Sequence, residues 1–220
     1  MNNRILSFDI SLDSTAVVEL ENNVFRYHIF VNYHKFTSSK KEDVDMDEFI
    51  NNHKILSLFK GFAKIHIYKR PKISVQTLGL NEWNKLQLQS VDELAKFIFS
   101  KLAVRTDDSI IIENYSYGSD SNTTIQIVEH TSVLKNRIYQ VCKDITIVPA
   151  PIVRKWLGNG NYNKRQLIEK LKEKRPNHFL CAIYDKNKDL FLKKGDKIES
   201  PLSDLVDAFF QALYKKEVIG

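Results

Sequence analysis

The fold is decided near the start of the chain by the stretch RILSFDISLDSTAVVELENNVFRYHIFV, residues 4–31. It contains three short runs rich in β-branched and aromatic residues, which are residues 4–10, 15–20 and 24–31. Turn-forming residues separate the runs, and the second connection is only Glu21-Asn22-Asn23, a length typical of a β-hairpin. The chain is therefore predicted to open with three strands that are antiparallel in sequence order.

The rest of the chain alternates helical and strand patterns. Apolar residues at helical spacing predict a helix over 91–102, and the unbroken apolar run of Ser109–Glu113 is typical of a strand buried on both faces. The further predicted elements are a helix over 123–142, a strand over 144–148, a helix over 164–174 and a last helix with Ser200 as its N-cap. This order indicates an α/β protein with helices packed on a mixed sheet. No internal boundary is visible, so residues 1–220 are expected to form one domain.

Composition excludes several classes of protein. The chain has 220 residues, of which 43% are hydrophobic and 27% charged, as in an ordinary folded protein. Its longest apolar runs, such as Ile110-Ile111-Ile112, are far shorter than the ~20 residues of a membrane helix. The two cysteines have no disulfide or metal-site spacing, so we expect a cytoplasmic protein of a bacterial or virus-infected cell. Thirty-three Lys and Arg residues against 27 acidic ones give a net charge of +6, which favours a polyanionic partner.

Four acidic residues stand at positions where chemistry is expected. Asp9 and Glu113 each end a predicted strand, and parallel neighbouring strands would bring both to one edge of the sheet. Asp204 and Asp207 are three residues apart on the last helix and therefore lie on one face of it. Carboxylates that converge repel each other unless cations neutralise them, and oxygen ligands favour Mg²⁺ or Mn²⁺. Two such ions about 4 Å apart would suit phosphoryl transfer.

Several segments of the chain resemble a known nuclease family. The RuvC-type Holliday-junction resolvases of the RNase H-like superfamily have three acidic motifs, and the similar segments here are FDISLDSTAVVEL at 8–20, IIIENYSYG at 110–118 and PLSDLVDAFFQALY at 201–214. The family's basic segment is similar to PAPIVRKWLGNGNYNKRQL at 149–167. The resemblance implies an RNase H-like mixed five-stranded sheet with flanking helices, plus insertions at about 33–87 and 176–199. The chain departs from the family's Asp-Pro-Gly in the first motif, where Ile10 and Ser11 follow the acid.

The resemblance also implies an activity and its residues. The family consists of homodimeric, Mg²⁺-dependent endonucleases that make paired nicks in four-way DNA junctions, and Mn²⁺ is expected to substitute. Carried over by motif, the catalytic metal ligands, which would hold two ions, are Asp9, Glu113, Asp204 and Asp207. Lys164 becomes a catalytic residue beside the scissile strand. The expected DNA-binding residues are Arg154, Lys155, Lys164, Arg165, Tyr115 and Tyr117. Asp13 and Asp120 are reserve carboxylates, and the apolar helix over 123–142 is the expected dimer interface.

Other functions fit parts of the same pattern. The first motif also resembles a phosphate loop of actin- or sugar-kinase-like ATPases, but 220 residues with 7 glycines do not supply their second domain and second Gly-rich loop. A nuclease that cuts RNA–DNA hybrids, or one that packages DNA, would share the acidic motifs. A non-catalytic DNA-binding protein would share the fold alone. The basic segment and the Asp204/Asp207 helix favour the junction resolvase.

Overall fold

The structure, a computed structural model, describes residues 4–11, 14–36, 45–69, 79–114, 122–193 and 197–220. The strands within these ranges are β1 (Ile5–Ile10), β2 (Ser14–Glu21), β3 (Val24–Asn32), β4 (Ala63–Tyr68), β5 (Ser109–Asn114), β6 (Asp144–Pro149), β7 (Leu192–Lys193) and β8 (Lys197–Ile198). The α-helices are α1 (Tyr33–Phe36), α2 (Met46–Asn52), α3 (Leu80–Leu102), α4 (Asn122–Val141), α5 (Ala150–Trp156), α6 (Lys164–Lys174), α7 (Phe179–Lys186), α8 (Lys188–Phe191) and α9 (Leu202–Tyr214). A 3₁₀ helix covers Leu56–Phe59, and a π-helical turn, Lys215–Ile219, follows α9. None of the helices in the described ranges has the length and apolar character needed to cross a membrane.

The main sheet of the described residues has six strands in the order β4-β3-β2-β1-β5-β6. β1 pairs antiparallel with β2, and β2 with β3, which confirms the antiparallel arrangement predicted at the start of the chain. The pairs β1–β5, β5–β6 and β3–β4 are parallel. The predicted mixed sheet with flanking helices is therefore confirmed, and β4 joins it at one edge as a sixth strand beyond the five expected.

The parallel pairing of β1 with β5 fixes the place of two acidic side chains. Phe8 pairs with Ile112, the last pair of that register. The next residues along the two strands are Asp9 and Glu113, so both lie at the same edge of the sheet. Because side chains alternate between the faces of a strand, Asp9 and Ser7 are on one face of the sheet and Phe8 is on the other.

A layer of helices covers each face of the sheet. On one face α9 packs in a core that includes its own Phe209 and Ile5 of β1. On the other face α3 and α4 contribute Ile98 and Leu134 to a second core, against Leu6 of β1. Ser7 and Asp9 therefore face α9, which brings the last acidic motif over the first.

The two segments without a clear family match contain regular structure. In 33–87, β4 extends the sheet and α3 begins at Leu80 rather than near residue 91. Most residues of the first turns of α3 are exposed, so that part of the sequence lacks the apolar stripe that predicts a helix. In 176–199, α7 and α8 place Leu180 and Phe191 in the same core as α9.

Candidate active site

Three acidic side chains from three elements meet at the edge of the sheet. Asp9 comes from β1, Glu113 from β5 and Asp207 from α9, and one carboxylate oxygen of each lies within 4.8 Å of the others. Asp207 is buried, whereas Asp9 and Glu113 are partly buried. The structure thus brings together three of the four acids singled out from the sequence, and their role as metal ligands stays a prediction.

Asp204 lies beside this cluster and is held by hydroxyl groups. Its carboxylate accepts hydrogen bonds from three serine hydroxyls, those of Ser14 on β2, Ser200 and Ser203. The distances are 2.9 Å from Ser200 and 2.8 Å from Ser203. The sequence predicts Ser200 as the N-cap of the last helix, and this prediction is wrong. Pro201 occupies the cap position, and the Ser200 hydroxyl donates to the Asp204 side chain instead. The role of Asp204 as a fourth ligand stays a prediction, since it lies outside the group of three.

Two basic side chains of the basic segment at 149–167 face the carboxylates. Lys164, the first residue of α6, forms an ion pair with Asp207, and Nη2 of Arg154 lies 3.8 Å from Oδ1 of the same residue. Asn163 and Gln166 form a capping box that fixes the backbone on both sides of Lys164. Nε of Arg154 is buried and has no hydrogen-bond partner among the described residues, which is unusual for a buried donor.

The cluster carries more negative charge than its basic neighbours balance. Burial raises the pKa of Asp9 well above its ordinary value of 3.8, and the charge of Glu113 raises it further. Burial also raises the pKa of Glu113. Lys164 and Arg154 lower both pKa values without cancelling these increases. A further positive charge would stabilise the ionised carboxylates. Their oxygen atoms are ligands of the kind that Mg²⁺ and Mn²⁺ prefer.

A buried glutamine contacts the cluster, although the sequence patterns above do not single it out. Gln211 of α9 is 2% exposed, and its Nε2 donates a hydrogen bond to Oε2 of Glu113 at 3.1 Å. It follows Asp207 by four residues and therefore lies on the same helix face. The feature that would have indicated it is the polar stripe of Asp204, Asp207 and Gln211 on an otherwise apolar helix.

The other residues predicted to bind DNA are only partly described. Lys155 and Arg165 are exposed, each next in the chain to one of the two basic residues at the cluster. Outside the described residues lie Tyr115, Tyr117, Asp13 and Asp120. The DNA-binding roles of Lys155 and Arg165 stay predictions.

Comparison with known proteins gives similarity at the level of structure. No protein-family model matches the chain, and no curated protein matches its sequence. The RuvC structure of Thermus thermophilus is 8% identical, with a TM-score of 0.44 over 97% of this chain and 95% of that chain. RuvC of T. thermophilus in complex with a Holliday junction substrate is 8% identical, with a TM-score of 0.46 over 98% and 96%. The yeast mitochondrial Holliday junction resolvase Ydc2 is 12% identical, with a TM-score of 0.44 over 98% and 84%.

Proposed function

We propose that this protein is a metal-dependent, structure-selective DNA endonuclease that resolves four-way junctions by paired nicks. One observation carries the proposal, namely that oxygens of Asp9, Glu113 and Asp207 meet within 4.8 Å beside two basic side chains. Converging carboxylates cost stability on their own, and such clusters with shifted pKa values are typical of functional sites. The acidic motifs and the basic segment that resemble the resolvase family support the same activity.

Each residue of the cluster has a task in this proposal. Asp9, Glu113 and Asp207 would hold Mg²⁺ or Mn²⁺ through oxygen ligands, and Asp204 would add a ligand for a second ion. Such ions supply charge stabilisation to the attacking and leaving oxygens of a phosphodiester. Lys164 and Arg154 bind and orient the scissile phosphate, because both present N–H donors beside Asp207.

Residues outside the cluster would bind the arms of the junction. Lys155 and Arg165 are exposed on the same basic segment, in a chain of net charge +6. Phosphate contacts position a substrate without reading its sequence, so selectivity would come from the branched shape of the junction. The proposal includes a homodimer, because paired nicks in symmetry-related strands require two active sites.

Cleavage assays with a labelled four-way junction, a matched duplex and an RNA–DNA hybrid test this proposal. We expect symmetric nicks in the junction with Mg²⁺ or Mn²⁺ and none in EDTA. The triple variant Asp9→Asn/Glu113→Gln/Asp207→Asn should lose cleavage and keep junction binding in EDTA, because it removes ligand charges and leaves the basic residues in place. Binding is measured by gel shift.

A control variant and three other outcomes make the assay decisive. Asp47→Asn/Asp189→Asn/Glu217→Gln removes three exposed acids and should cut like the wild type. Cleavage of the hybrid but not the junction would identify a hybrid nuclease. Junction binding without cleavage in either metal would identify a non-catalytic binding protein. Cleavage by the first triple variant would refute the carboxylate site.

A further inference from the structure

The last helix buries an amide where an apolar side chain would be expected. Residues 202–213 of α9 are all buried, and Gln211 among them is 2% exposed. Taking an amide out of water costs free energy unless its polar atoms are hydrogen-bonded. The partners of Gln211 therefore indicate what the residue does.

Gln211 joins two strands of the candidate active site. Its Nε2 donates to Oε2 of Glu113 on β5 at 3.1 Å, and Oγ of Ser7 on β1 donates to its Oε1 at 3.5 Å. Ser7 is fully buried and lies two residues before Asp9 on the same face of the strand. The reversed amide would set its oxygen against an oxygen of Glu113, and two acceptors repel each other. The nitrogen is therefore directed to Glu113.

We propose that Gln211 is a positioning residue for the Glu113 carboxylate. Its hydrogen bond holds one oxygen of Glu113, and so it sets how that carboxylate faces Asp9 and Asp207. Residues that orient a metal ligand through a hydrogen bond change metal affinity or activity by about 10- to 100-fold when they are removed. The inference rests on the proposed function, because the cation is the one that the three carboxylates would bind.

The substitution Gln211→Met tests this role, since methionine keeps the length of the side chain and removes its donor. The matched control is Gln87→Met, because Gln87 is also a buried glutamine but lies on α3, which covers the opposite face of the sheet. Mn²⁺ binding to the full chain is measured by electron paramagnetic resonance without DNA, and Tm is measured in EDTA. In Gln211→Met we expect the Mn²⁺ dissociation constant to rise on the order of 10-fold at an unchanged or higher Tm. The control variant should bind Mn²⁺ like the wild type.

The metal dependence of junction cleavage gives a second readout that a purely structural role would not change. In Gln211→Met the Mn²⁺ concentration for half-maximal rate should rise together with the dissociation constant, and excess Mn²⁺ should restore most of the rate. If this variant does not fold, Ser7→Ala takes its place. It removes the hydroxyl that orients the amide and should weaken Mn²⁺ binding by a smaller factor.

The outcomes separate this inference from the proposed function. A wild type that binds Mn²⁺ and a Gln211→Met variant of equal affinity would overturn the role of Gln211 and leave the nuclease proposal intact. A wild type that binds Mn²⁺ but cuts no junction would overturn the proposed activity, while weaker Mn²⁺ binding in the variant would still support the positioning role. A wild type that binds no Mn²⁺ would overturn both.

Discussion

Lys164 puts a positive charge beside the carboxylates that would bind a cation. Its ammonium group pairs with Asp207, and its charge lowers the pKa values of Asp9 and Glu113. A divalent cation has to compete with this charge, so Lys164→Met should tighten Mn²⁺ binding about 5-fold, the equivalent of ~1 kcal/mol for a partly exposed ion pair. The same variant should lower the single-turnover cleavage rate by about 10-fold or more, because a lysine beside the phosphate stabilises the transition state.

The control for Lys164 is a lysine on the same helix. Lys170 pairs with Glu173 near the other end of α6, so Lys170→Met should change neither Mn²⁺ affinity nor rate. Weaker Mn²⁺ binding in Lys164→Met would show that the lysine organises the carboxylates and does not compete with the metal. An unchanged saturated rate with a lower salt dependence of binding would make Lys164 one of several phosphate contacts.

The charge of Asp9 should destabilise the metal-free fold above acidic pH. The pKa of Asp9 is raised by burial above its ordinary value of 3.8, so the folded state favours the protonated form. The stability that this proton contributes is fully present below pH 3.8 and is lost as the pH rises through the higher folded pKa. Asp9→Asn carries no such charge. In EDTA, its free energy of unfolding should therefore exceed that of the wild type by a margin that grows from about pH 4 to pH 8.

Urea unfolding at several pH values measures this margin. Saturating Mn²⁺ should reverse the order of the two proteins, because a ligand stabilises the state that binds it and the variant has lost one ligand. If the difference in the free energy of unfolding between the two proteins does not depend on pH, the pKa of Asp9 is the same in the folded and unfolded states.

The sequence indicates some residues of the cluster better than others. Asp9 and Glu113 are predictable because a strand fixes the face and the end at which each of its side chains lies, and Asp207 because a helix fixes its face. Among the three serines around Asp204, Ser200 and Ser203 are close to it in the chain. Ser14 is not predictable, since it is 190 positions away and its contact arises only when α9 packs on the sheet. Gln211 lies on the same polar stripe as Asp204 and Asp207, but a glutamine on a helix is usually exposed, so the stripe alone does not predict its burial.

At the scale of elements, the start of α7 should respond to acid. His178 is its N-cap, and its Nδ1 accepts a hydrogen bond from the backbone N–H of Leu180. Nε2 then carries the proton and donates to the hydroxyl of Tyr27 at 2.7 Å. Burial and the nearby charge of Arg175 lower the pKa of His178 from 6.5 to about 4. The neutral ring therefore stabilises the fold above pH 6.5, and this contribution is lost as the pH falls from 6.5 to about 4.

The substitution His178→Asn isolates this contribution. Asparagine keeps an acceptor for the cap but has no proton to gain. The wild type should be more stable than the variant at pH 7, and the difference in the free energy of unfolding should shrink between pH 6.5 and 4.5. His66, whose pKa is also lowered to about 4, is present in both proteins and cancels in the comparison. A difference that stays constant over this range would show that His178 gains its proton equally in both states.

Elements were predictable where periodicity was strong. The strands of the opening meander and β5 carry continuous β-forming runs, and the second half of α3 has a clear apolar face. The first half of α3 is mostly exposed, so nothing in its pattern separates it from a loop. β4 pairs in parallel with β3 across an insertion, and such a pairing depends on contacts distant in sequence.

At the scale of the whole molecule, the position of the site follows from topology more than from any single residue. β1 and β5 are distant in the chain but neighbours and parallel in the sheet, and the last helix covers the face that Asp9 shares with Ser7. The order of strands and helices along the sequence predicts the α/β class but not which strands and helices become neighbours. Which helix covers which face of the sheet depends on the tertiary packing.

The symmetry of the proposed substrate leads to an expectation about assembly. A four-way junction cut in two symmetry-related strands needs two active sites, which a two-fold dimer supplies. The predicted interface is α4, but its Leu134 and Ile138 are buried in the chain's own core. Val128 and Tyr139 are 36% and 60% exposed on the same helix. They are eleven residues apart, about three turns, and so lie on one outer face.

This outer face of α4 is where we expect the partner subunit to bind. Tyr139→Glu should convert a dimer of the wild type into a monomer, because it places a charge in an apolar contact. Light scattering at micromolar concentration measures the change, and the monomer should nick junctions without pairing the two cuts. Leu190→Glu is the control, since Leu190 is 40% exposed on α8 and should leave the dimer intact. A wild type that is monomeric both alone and with junction DNA would contradict the dimer, and each nick would then have to come from an independent encounter with the substrate.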